Sequence, residues 1–91
     1  MQLTEDQITA IEEFAELFFS PEEVALMVDC SRESVSEQMK LKEGVFYEAY
    51  SRGYLSGDAK IRTILRDMAL SGSSPSITSL LEIQKRSKPD L

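Results

Sequence analysis

Twenty residues, SPEEVALMVDCSRESVSEQM from Ser20 to Met39, constrain this chain more than any other stretch. Ser20 is placed to cap a helix, and Pro21 suits the first helical position because it has no N–H to leave unsatisfied. Glu23, three residues after Ser20, closes a capping box, and both Glu22 and Glu23 favour the positive end of the helix dipole. Val24, Ala25 and Val28 then face inward, and this helix is expected to end near Asp29. Ser31 caps the next one, Arg32 to about Lys40, with Val35 and Met39 buried. Two short helices joined by so brief a turn need a small residue where they cross, apolar inner faces and an apolar turn. Ala25, the three valines and Cys30 meet those demands, which are the demands of a helix-turn-helix.

The flanks are helical as well. Thr4 and Gln7 form a second capping box, and Ile8, Ile11, Ala15 and Phe18 follow at helical spacing. Leu41 to Gly44 reads as a connection. From Val45, an apolar stripe runs through Phe46, Ala49, Tyr50, Tyr54, Ile61, Ile64, Leu65 and Met68, which predicts one long helix of about 25 residues. Gly53 and Gly57 interrupt it, as a kink, a flexible joint or a site of close packing. Gly72 lies just past its C-terminus. Ser74-Pro75 repeats the cap-and-proline signal before a last helix, Ser76 to about Arg86. The tail SKPDL is polar and expected to fray. The fold class is all-α, a single helical domain over 1–91: a three-helix helix-turn-helix unit at 4–43, then a long helix and a short C-terminal helix at 44–87.

Charge is distributed unevenly. Residues 1–30 hold eight acids and no base, residues 31–60 five of each sign, and residues 61–91 five bases and three acids, giving a net charge of −6. That balance argues against indiscriminate nucleic-acid binding and for contacts of defined orientation. Cys30 is the one cysteine and there is no histidine. Common zinc sites and histidine-based catalysis are thereby excluded. No phosphate loop, paired nucleophile and base, or spaced ligand set is present, so the expectation is a non-enzyme with no cofactor and no metal. No stretch has the length of a membrane span and no basic-then-apolar leader opens the chain, so a cytoplasmic location is expected. Cys30 reads as a core residue, and a chain of this size is expected to self-associate.

From about Ile11 to Arg86 the residues resemble the helix-turn-helix proteins of phages and prophages related to the terminase small subunit. Phe46, Ala49, Tyr50 and Gly53 match that family's aromatic-Ala-Tyr-x-x-Gly segment on a long helix, and ALSGSSPSITSLLEIQKR matches its closing part. The resemblance implies recognition of viral double-stranded DNA for packaging, a homo-oligomer, and delivery of DNA to a large terminase subunit. Asp29 stands where that family's turn has glycine, so a left-handed backbone is expected there. Gln38 stands where the family has an aromatic or apolar residue. The groove-facing candidates are Ser31, Arg32, Ser36, Lys40 and Lys42. Arg32 is suited to guanine, the serines to phosphate or base edges, and the lysines to phosphate. Glu33 and Glu37 share that face and repel phosphate. The competing expectation is a protein-interaction module that keeps the scaffold and docks through its acidic N-terminal face or its long helix.

Overall fold

The computed structural model describes residues 1–87. Residues 88–91, most of the tail expected to fray, lie outside the described residues. Five helices make up the described chain: α1 Glu5–Glu16, α2 Pro21–Met27, α3 Arg32–Leu41, α4 Val45–Leu70 and α5 Ser74–Ser87. It contains no strand among the described residues. None of these helices is long and apolar enough to cross a membrane.

The helix starts follow local chemistry. Thr4 Oγ1 accepts from the Gln7 amide at 3.1 Å, and Gln7 Oε1 accepts from the Thr4 amide at 3.0 Å. Ser20 and Glu23 close the same box at α2, at 3.2 and 2.9 Å. Gln7 also donates through Nε2 to the Val28 carbonyl at 3.0 Å, so a residue that starts α1 satisfies the far end of α2. At α5 the cap lies one residue earlier than expected. Ser73 Oγ accepts from the Ser76 amide at 3.4 Å, and the helix begins at Ser74, not Ser76.

Four helix ends share one device. The amides of Phe19, Cys30, Glu43 and Ser73 reach back five residues, to Phe14, Ala25, Gln38 and Met68, at 3.3, 2.9, 3.2 and 3.1 Å. The residue preceding each donor is left-handed: Phe18 at φ 67°, Asp29 at 58°, Lys42 at 56° and Gly72 at 96°. Only the last is glycine; for an L-residue this backbone costs about 1–2 kcal/mol. Phe18 therefore lies past the end of α1, and not on its inner stripe as its spacing predicts.

α4 is one continuous helix, and its glycines are what hold it. A Cβ at Gly53 would overlap the carbonyl oxygen of Glu12, and one at Gly57 the carbonyl oxygen of Glu16. Both glycines are buried. Residues four apart on α4 therefore meet residues four apart on α1, backbone against backbone, which any side chain would prevent. Arg52 fastens the same crossing through Glu12 at 3.0 Å. The start of α4 is capped from a distance. Gly44 has no side chain to offer, and Gln38 Oε1 accepts from the amides of Phe46 and Tyr47 at 2.9 and 3.3 Å. A Cβ on Gly44 would collide with that same carboxamide.

The chain divides into two compact units, Met1–Asp58 and Ala59–Leu91, with the seam inside α4. The sequence places its seam at 43/44, at the loop; packing places it later, because α1 covers α4 as far as Gly57. Among the described residues, the buried apolar core lies wholly in unit 1: Ile11, Ala15, Val24, Ala25, Val28, Val35, Phe46, Ala49 and Tyr50. Met39, expected in that core, is half-buried against it. Among the described residues of unit 2 the buried side chain is Ser76, while Ile61, Ile64, Met68, Ile77 and Leu81 are exposed.

Candidate nucleic-acid interface

α2 and α3 meet as the sequence demands. Val24 and Ala25 are fully buried, and Val28 and Val35 nearly so. Asp29 adopts the left-handed turn expected of it, and the Cys30 amide closes the turn on the Ala25 carbonyl at 2.9 Å. Cys30 is half-buried, with Sγ 3.9 Å from the Val28 carbonyl. Burial, and secondarily the Asp29 charge, push its thiol above the ordinary value. It is therefore a packing residue and not a thiolate.

The outer face of α3 carries most of the candidate contacts. Ser31 Oγ accepts from the Ser34 amide at 3.3 Å, which uses the hydroxyl as an acceptor and leaves its proton available to an incoming oxygen. Arg32, Ser36 and Lys40 are exposed and line one hollow of about 640 Å³ with Glu22, Glu33 and Glu37. Lys42 is exposed in its left-handed position beyond α3, and neither it nor Ser31 is part of that lining. The structure thus brings three of the five candidates together.

Glu22 is the member that the sequence did not place here. Its carboxylate lies 3.7 Å from an Arg32 guanidinium nitrogen, with the side chains 78% and 70% exposed. No pattern within α3 points to it, since it sits ten residues earlier on another helix. Glu23 is occupied by the capping box, and its bonds to Ser20 hold its carboxyl below the ordinary glutamate value. Glu22 has no such task. With it, the hollow holds three acids and two bases, a more acidic balance than α3 alone. An ion pair this exposed is worth about 0–1 kcal/mol, so a phosphate can displace it.

A second surface lies on the same unit. Met39 of α3 and Tyr47, Tyr50, Ser51, Tyr54 and Leu55 of α4 line a nearly apolar groove of about 330 Å³. Tyr50 and Tyr54 stack at 6.2 Å, and the Tyr50 hydroxyl donates to the Phe19 carbonyl at 2.7 Å. Among the described residues no group of His, Cys, Asp and Glu is arranged to hold a metal. No family model, curated protein or solved structure matches the chain.

Proposed function

We propose that this chain is a non-catalytic, cytoplasmic, phage-derived protein similar to the terminase small subunit, which recognises double-stranded viral DNA through α3. The observation that carries the reading is the α2–α3 crossing. Ala25 is buried at the turn, Asp29 accepts the left-handed backbone, and Arg32, Ser36 and Lys40 stand together on the outer face of α3. In this reading Arg32 leaves Glu22 for a base edge or a phosphate, Ser31 and Ser36 donate to phosphate, and Lys40 and Lys42 neutralise backbone charge. One copy carries too few bases for firm binding, since affinity follows the number of phosphates neutralised. A homo-oligomer multiplies them, and a large terminase subunit is the natural recipient of the DNA.

The test is fluorescence anisotropy of labelled duplex from the protein's own genomic neighbourhood, at low and moderate salt. The expected outcome is saturable binding that weakens with salt and prefers one sequence, abolished by Arg32→Ala with Lys40→Ala. Binding that survives that pair of changes assigns the contact to another surface.

A second reading is a protein-interaction module without DNA binding. The Glu22–Arg32 pair and the acidic balance of the hollow favour it. Absence of binding at low salt by a folded sample selects this reading over the first.

A further inference from the structure

We infer that the groove between α3 and α4 receives α5 of a second copy, so that the chain assembles head to tail. This rests on the self-association included in the proposed function and not on DNA recognition.

The groove is built to take an aliphatic helix face. Its lining is Met39, three tyrosines, Ser51 and Leu55, and it is almost wholly apolar. Leu55 keeps 63% of its surface in water and Tyr54 is also exposed, although both belong to the well-packed unit. The surrounding charge is acidic. Glu43 lies in the loop before α4, Glu48 beside Tyr47, and Asp58 one turn beyond Leu55. Two of the four bases of unit 1 are engaged elsewhere: Arg52 pairs with Glu12, and Arg32 with Glu22.

α5 supplies the matching face. Ile77 and Leu81 are exposed at a spacing of four, and Lys85 continues the same row, with Arg86 beside it. Two aliphatic anchors one turn apart followed by cations are the pattern by which a helix enters an acidic-rimmed apolar groove. The totals agree. Residues 1–58 hold thirteen acids and four bases, a net −9, and residues 59–91 hold six bases and three acids, a net +3. Pairing two grooves would oppose acid to acid, and pairing two α5 helices would oppose Lys85 and Arg86 to themselves. Of these three pairings, groove against α5 is the one that joins opposite charges. Every copy has one groove and one α5, so the contact is heterologous and propagates until it closes on itself.

Complementation tests the inference. Leu55→Glu blocks the groove and leaves α5 intact; Leu81→Glu blocks α5 and leaves the groove intact. Both positions are exposed, so native melting curves are expected, and Ser51→Glu with Ile77→Glu form a second pair should either variant melt low. By sedimentation equilibrium, the wild type is expected to associate, less at high salt. Each variant alone is expected to associate at least tenfold more weakly. Mixed in equal amounts, they are expected to form dimers that grow no further. A wild type that stays monomeric at every concentration overturns both self-association and this inference. A Leu55→Glu variant that assembles like the wild type overturns the groove alone, as does a mixture that fails to pair.

Discussion

Ile11 and Val24 in unit 1 are wholly buried, whereas Ile64 and Leu81 in unit 2 keep 57% and 52% of their surface in water. Both units follow the same helical period, so amphipathic spacing alone does not account for the difference. Unit 1 has four helical segments to enclose its apolar side chains, and a close α1–α4 crossing that draws them together. Unit 2 has two, and two helices leave the outer side of each uncovered. Small units bury a small fraction of their surface, and this fraction falls as helices are removed. The lesson is that an apolar stripe marks a need for cover without saying where the cover comes from. In unit 1 it comes from the chain itself.

The sharpest way to break the comparison is at Gly53. Replacing it with leucine forces a side chain into the Glu12 backbone. The expected loss is about 3 kcal/mol or more in urea unfolding, toward the upper end for overpacking. Ile64→Ser, on the bare part of the same helix, is expected to stay within about 0.5 kcal/mol of wild type in a dilute sample, as an exposed site does. Comparable losses at the two sites would mean that unit 2 has a core of its own. Native-state hydrogen exchange reads the contrast without mutation. Amides around Phe46 and Tyr50 are expected to exchange roughly 100-fold more slowly than those of α5, which open locally. Uniform protection along α4 and α5 would remove the distinction between the units.

Smaller effects test how unit 1 is fastened. Gln38→Ala removes the acceptor for the Phe46 and Tyr47 amides and is expected to cost about 1 kcal/mol, the usual worth of a helix cap. The loss should be accompanied by faster exchange at those two amides. The smallest effect is pH-dependent. The Ser20 bonds lower the folded pKa of Glu23, so its contribution is complete above the unfolded glutamate value of about 4.3 and is lost as pH falls through the lower folded value. Melting temperatures of wild type and Glu23→Gln should therefore differ at neutral pH and converge in acid. A gap that is independent of pH would remove the charge from the explanation.

Much of the architecture was legible in the residues. The five helices, the capping boxes at Thr4 and Ser20 and the Ser31 cap rest on neighbours a few positions away, whereas the left-handed Asp29 was implied by the family resemblance and the buried Ala25 by the demands of the helix crossing. The candidate site was legible in part. Arg32, Ser36 and Lys40 were grouped by helical spacing and do share a hollow, because all three lie on one helix. Glu22 was missed, because its place beside Arg32 depends on how α2 crosses α3. Phe18 was misassigned for a related reason: its spacing fits α1, but the helix ends two residues before it. The α5 cap shifted by one because Ser73 and Ser74 are adjacent serines, either of which can cap a helix, and local preference barely separates them.

The residues alone specified that five helices form, how α1, α2 and α3 are capped at their starts, and most of each apolar side, since those outcomes turn on hydrogen bonds and contacts within about one turn. Tertiary structure decided what each special residue was for. Gln38, polar where the resembled family has an aromatic or apolar residue, caps a helix that starts seven residues later. Gly53 and Gly57, which could equally have been a hinge, became the bearing surface of α1 on an unbroken α4. It also decided which half of the long stripe was covered, because α1 reaches Gly57 through Glu16 and ends there.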